Sequence, residues 1–236
     1  MKPDDIDRIL AQAADRAFPP DAGRGVIERV EGALLKDLRP VKPLAPWWAF
    51  TLAFLAVFAA LAAASGTALG LHGIRVLTAE QTALIFPALL VAAWLAALAC
   101  VREMRPAGGT RLGAVALLLA CGGFPLVFSL IFGDYGLPGF VSEGVPCLVA
   151  GLCVSIPTGM VMALILRRGF VMDWSKAGVA AGTLAGLTGL GMLELHCRNL
   201  KAIHVIFWHV AVVASSGMLG FAIGWIADEY RRRKAR

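Results

Sequence analysis

The chain has 236 residues, 58% of them hydrophobic and only 16% charged, with a formal net charge of +6. Its mean hydropathy is +0.74. Soluble domains run at about 45–50% apolar and about 25% charged, so this composition excludes a water-soluble domain. Disorder and a collagen-like repeat are excluded as well, because the apolar residues fall in long unbroken blocks. The surplus positive charge sits at loop ends, which argues against direct contact with nucleic acid. Five cysteines, none in a CxxC, do not form a secreted disulfide framework. An integral membrane protein remains.

The first 46 residues are polar, and eight Lys/Arg balance eight Asp/Glu there. A neutral segment is not a polybasic lipid clamp. Nor does it read as a signal peptide, since the first apolar block comes late and is too long. Two short amphipathic helices are predicted. The first is capped at Asp4 or Asp5 and lines up Ile6, Ile9, Leu10, Ala13 and Ala17, until Phe18-Pro19-Pro20 stops it. The second runs from Gly25 to Leu38, with Val26, Val30, Leu34 and Leu38 on one stripe. Arg39 to Pro46 follows as a stiff, proline-rich link. Two helices of this length cannot build a core of their own. Their stripes need the rest of the protein, the lipid surface or another protein. Balanced charge disfavours lipid and favours helix-in-groove binding to a soluble partner, with Ile6, Ile9, Leu10, Val30, Leu34 and Leu38 as the contact residues. A poorly ordered leader is the alternative.

A hydrocarbon core of about 30 Å needs about 20 apolar residues. Six blocks qualify: Trp47 to Leu71, Ala79 to Val101, Leu112 to Phe132, Val145 to Leu166, Ala177 to Leu195, and Ile203 to Ala227. None alternates polar and apolar, so an all-α, six-helix transmembrane bundle is predicted over residues 47–227. Trp47, Trp48 and Trp225 mark the interfaces. Residues 228–236 form a basic tail.

Orientation follows from Lys and Arg in the short loops. One side holds Arg102, Arg105, Arg111, Arg167, Arg168, Lys176 and the tail's Arg231, Arg232, Arg233, Lys234 and Arg236. The other holds only Arg75, Arg198 and Lys201. Both termini are therefore expected in the cytoplasm. Within the spans, Gly178, Gly182 and Gly186 repeat at four-residue spacing, and Ser216, Gly220 and Gly224 form a second stripe. Such stripes let helix backbones approach closely. Kinks are expected at Pro125 and Pro157.

All four histidines fall towards the expected outer side: His72, His196, His204 and, a turn deeper, His209. Cys147 in the first turn of span four and Cys197 at the end of span five should lie at one depth. Glu194 near a span end needs a partner, for which Arg198 is the candidate. A thiol-based redox pair, a soft-metal site drawing on His196, Cys197, Cys147 and His204, and inert interfacial residues with or without a disulfide all remain open. Cys100, Cys121 and Cys153 read as buried small apolar residues. No HExxH, GxSxG, P-loop or GxGxxG occurs in its required context, so no enzyme and no cofactor are expected. A small-solute or metal transporter would show repeats or mid-membrane charge, and neither is found. A structural subunit of a membrane complex is a further alternative.

The linker Leu38-Arg39-Pro40-Val41-Lys42-Pro43-Leu44 is followed by Cys147, then Ser155-Ile156-Pro157, Arg167-Arg168-Gly169, the glycines Gly178, Gly182 and Gly186, His196-Cys197 and Trp208. In order and spacing this resembles the NrsF family of six-span bacterial anti-sigma factors. The resemblance implies a multi-pass protein of the inner membrane whose cytoplasmic segment holds an extracytoplasmic-function sigma factor inactive. It further implies that Cys147 and Cys197, with His196 beside them, sense an external stress such as metal or oxidant. Two places depart from the pattern. His209 stands where the family would have tyrosine, and Arg198-Asn199-Leu200-Lys201 is basic where an acidic stretch is expected.

Overall fold

The computed structural model describes residues 45–105 and 111–234, together with positions 28, 31 and 32. The chain divides into two compact units, Met1–Leu44 and Ala45–Arg236. In the first, Glu28, Glu31 and Gly32 are helical and exposed. The contact residues expected there, Ile6, Ile9, Leu10, Val30, Leu34 and Leu38, lie outside the described residues.

The second unit is all helix. Its elements are α1 (Trp47–Leu69), α2 (Ala79–Glu103), α3 (Leu112–Ile131), α4 (Phe140–Leu166), α5 (Trp174–His196) and α6 (Ala202–Lys234). All six are long and apolar enough to cross a membrane. The boundaries differ most from the sequence reading at the start of α4 and the end of α6. Helix α4 starts at Phe140 rather than Val145, behind Gly139 at φ +77°, a left-handed position that suits glycine. Helix α6 runs unbroken through Trp225 to Lys234, so the basic residues Arg231 to Lys234 stand on its last turn. Helix α2 contains Pro87 and begins with a reciprocal cap between Thr78 and Gln81, neither of which was anticipated.

Helix α5 is the axis of the bundle and packs against all five others. Every residue from Ala180 to Glu194 is buried. It is also the least apolar of the six. The two facts share one cause. Lipid solvates apolar side chains as well as a protein interior does, so burial in a bundle is won by close backbone packing of small residues. On the outside, Leu118, Leu126, Leu130, Met160 and Leu164 stand exposed, as a lipid-facing surface requires.

The closest seam joins α5 to α6. A methyl group added at Gly178 would strike the Gly220 carbonyl, and one at Gly182 the Ser216 carbonyl. At Gly186 it would come within 2.6 Å of the Val213 Cα. These are the stripes read from sequence, now facing each other. The helix ends are tied down too. At the N-terminus of α5, the Trp174 and Ser175 amides donate to the Asp228 carboxylate of α6 at 3.1 and 3.0 Å, and Lys176 N donates to Asp173. At its C-terminus the Gly73 and Ile74 amides donate to the Leu195 carbonyl. Orphan groups at both ends thereby find partners.

One pair of substitutions tests the seam. Gly182→Ala should destabilise the bundle by about 1–3 kcal/mol, because its methyl meets backbone that cannot swing away. Gly159→Ala should be neutral or mildly stabilising, since its methyl would meet only the Ala185 Cβ, at 3.6 Å. Thermal unfolding of the two variants in detergent measures the difference.

A buried thiol and imidazole cluster as candidate functional site

Where α4, α5 and α6 meet, at the C-terminal end of α5, four side chains converge. The ligating atoms of Cys147, Cys197, His204 and His209 all lie within 4.8 Å of one another. The two sulfurs are 3.6 Å apart, and Cys197 Sγ is 3.6 Å from His204 Nε2. Both cysteines are free thiols. His204 and His209 are fully buried, Cys197 nearly so, and Cys147 is half-buried.

The histidines share a face because of a local departure from α geometry. In an α-helix, residues five apart point about 140° away from each other. Here Val205–His209 forms a π-helical turn, in which i→i+5 hydrogen bonds stack residues five apart. The rings of His204 and His209 therefore meet edge to face, with centroids 5.3 Å apart. Trp208, within the same turn, lies against α4. A Cβ at Gly144 would run into its indole, and its ring centroid is 5.3 Å from that of Phe140. That contact seats the π turn one helical turn before Cys147.

Glu194 completes the cluster. His209 Nδ1 donates to Glu194 Oε1 at 2.7 Å, with both side chains almost fully buried. A carboxylate in this position is costly alone and tolerable only when paired. The expected partner, Arg198, is not used. Helix α5 ends at His196 and the chain turns extended at Cys197, which removes Arg198 from the helical spacing that would have brought it back to Glu194. Instead Arg198 Nη2 donates to His72 Nδ1 at 3.1 Å.

His196 is also redirected. Its Nδ1 faces the Gly70 carbonyl at 3.0 Å and its ring lies beside that of His72, with centroids 5.8 Å apart. The four histidines thus form two pairs, and the one inside the cluster includes His209 where the sequence reading put His196. Cys147 lies two turns into α4, not in its first. Cys100 is buried and Cys121 partly so, but Cys153 is exposed on the outer face of α4, against expectation. The glycines Gly178, Gly182 and Gly186 lie on the α5–α6 seam.

A roof of loop contacts covers the cluster. Asn199 Nδ2 donates to Glu143, Lys201 Nζ to the Pro138 carbonyl at 2.8 Å, and Ala202 N to the Asp134 carbonyl at 2.6 Å. Beneath it, Met192, Leu193 and Val212 form a dry floor against Cys147 and Leu148.

Six apolar helices with a thiol and imidazole cluster at one end of the bundle make this a polytopic helical membrane protein. The chain belongs to the NrsF family, negative regulators of sigma F, whose pattern it matches over residues 34–227. Its partner is accordingly a sigma factor. No curated protein and no solved structure matches the chain.

Two outcomes follow from the geometry. A mild two-electron oxidant such as diamide should join Cys147 to Cys197: the thiols give up two electrons and two protons as the S–S bond forms, and the azo group takes them up as a hydrazine. Intact mass after alkylation would show both thiols lost together, with Cys153 still free. At the loop, the Arg198 guanidinium, with desolvation and His196 behind it, holds the His72 ring below its ordinary value of 6.5. Stability from this contact is therefore present above about pH 6.5 and lost as the pH falls through the lower folded value. Arg198→Gln should raise the His72 midpoint in a histidine NMR titration.

Proposed function

We propose that this protein is a membrane-bound anti-sigma factor of the bacterial inner membrane. Its segment 1–46 sequesters an extracytoplasmic-function sigma factor, and Cys147 and Cys197 sense an envelope stress, metal or oxidant, at the opposite, periplasmic face. The observation that carries the reading is the family match over residues 34–227. It is joined to a thiol pair at the end of the bundle remote from the basic loops. Charge-balanced apolar stripes in residues 1–46 supply the surface for a soluble partner. The family match begins inside the second predicted helix, so Leu34 and Leu38 are matched and Ile6, Ile9, Leu10 and Val30 are not. Both termini lie in the cytoplasm on this reading, as the loop charges favour.

The link across the membrane is α5 with α6. Together they carry Glu194, Cys197, His204 and His209 at one end and the Asp228 cap on α5 at the other. A change at the cluster re-packs the glycine seam, and that alters how residues 1–46 hold the sigma factor. Such coupling requires two packings that differ in affinity for both signal and partner.

Two measurements test it. Leu34→Asp with Leu38→Asp should weaken capture of the sigma factor by purified full-length protein ~30-fold or more, the equivalent of about 2 kcal/mol at an interface hot spot. Undiminished capture would place the binding surface elsewhere. In cells, Cys147→Ser with Cys197→Ser should lock sigma-dependent transcription in one state, and normal stress induction in that double variant would remove the sensing role.

A further inference from the structure

We infer that Cys147, Cys197, His204 and His209 form a four-ligand site for a tetrahedral, thiophilic divalent cation of the zinc and cadmium type. The inference rests on the sensing reading above and gives the sensor a ligand. It stands on the spacing of the side chains. Zinc bonds of about 2.3 Å to sulfur and about 2.0–2.1 Å to nitrogen, at tetrahedral angles, separate two sulfurs by ~3.8 Å and a sulfur from a nitrogen by ~3.6 Å. The sulfurs here are 3.6 Å apart and Cys197 Sγ lies 3.6 Å from His204 Nε2. All four ligating atoms fit inside 4.8 Å. A disulfide would need the sulfurs at about 2.05 Å, so the arrangement is nearer to a coordination shell than to a bond.

Two further observations point to a ligand. His209 Nε2, the ring nitrogen turned away from Glu194, is buried with no hydrogen-bond partner. Buried polar atoms nearly always have partners, and an imidazole nitrogen left bare beside two thiols is a coordination position. On the far side of the ring, Glu194 accepts from His209 Nδ1. That fixes the tautomer which leaves Nε2 as a lone pair for metal, the usual task of a carboxylate behind a ligating histidine. Two sulfurs and two imidazoles select a borderline-soft cation over calcium or magnesium. Each thiol releases its proton to water as its sulfur binds, so two thiolates balance a divalent charge. Cys147, half-buried, leaves an approach from the α4 side.

His209 and Glu194 make this site more than a pair of cysteines. Glu194 is a positioning residue and His209 a ligand, both outside the sensing residues read from sequence. In the site a bound cation would tie α4 to the α5–α6 hairpin.

The test uses full-length protein, reduced and purified in detergent without its partner. Elemental analysis after Zn²⁺ loading should find one zinc per chain. Co²⁺ should give the intense visible bands of a tetrahedral site with thiolate charge transfer, and Zn²⁺ should bleach them. Cys147→Ser, Cys197→Ser and His209→Gln should each abolish stoichiometric binding. Glu194→Gln should keep the stoichiometry with affinity lowered about 10–100-fold, and Cys153→Ser should change nothing. Should a variant fail to fold, wild-type protein alone decides, because bound Zn²⁺ must protect Cys147 and Cys197, but not Cys153, from alkylation. No zinc on the reduced wild type, an octahedral Co²⁺ spectrum, or zinc retained without both cysteines would overturn the site. Metal content is read without the sigma factor, so its failure leaves sigma capture standing, and failed capture leaves the metal result intact.

Discussion

The burial of α5 on every side is the constraint from which the rest of the structure follows. In a membrane there is little apolar gain in hiding leucines, so a central helix must be narrow enough for its neighbours to reach its backbone. Gly178, Gly182 and Gly186 meet that need on the α6 side, and the residues opposite them on α6 are equally small or present bare carbonyls. Because methyl groups do not fit there, the seam has one register. That register sets how Glu194 and Cys197 at the end of α5 meet His204 and His209 at the start of α6.

With register fixed, a local irregularity assembles the cluster. A regular α-helix through Val205–His209 would have turned one histidine away from the cluster. The π turn spends one residue to bring both inward, and Trp208 packed over Gly144 anchors it to α4. Irregular turns of this kind are stable only where surrounding contacts over-determine them. Here the loop roof and the Glu194–His209 pair supply those contacts, and a polar cluster persists at the edge of an apolar bundle because its carboxylate has a partner.

The same two helices reach from the cluster to the far end of the bundle, where Asp228 of α6 caps α5. On the reading proposed above, in which a signal at one face is passed to the other, the α5–α6 hairpin is the element that touches both. Its seam is built of backbone contacts rather than long side chains.

The six spans, all but two of their ends to within three residues, and the small-residue stripes were legible from the chain alone. Each is a property of segment length and local composition, which lipid converts directly into structure. The facing of the two stripes is seen only in the packed structure. The common depth of Cys147 and Cys197 was legible too, since spans four and five run antiparallel. That the two sulfurs come within 3.6 Å depends on which faces the helices turn to each other. The partner of Glu194 was not legible. Arg198 has the right spacing only if the helix continues, and whether it continues is decided by the Gly73 and Ile74 amides of another loop. His209 was overlooked for the same kind of reason: five residues is the wrong interval for an α-helix, and only packing against α4 makes it the right one. Periodicity determines which residues face inward, while the membership of a polar cluster depends on where helices end and bulge, and contacts between distant segments settle that.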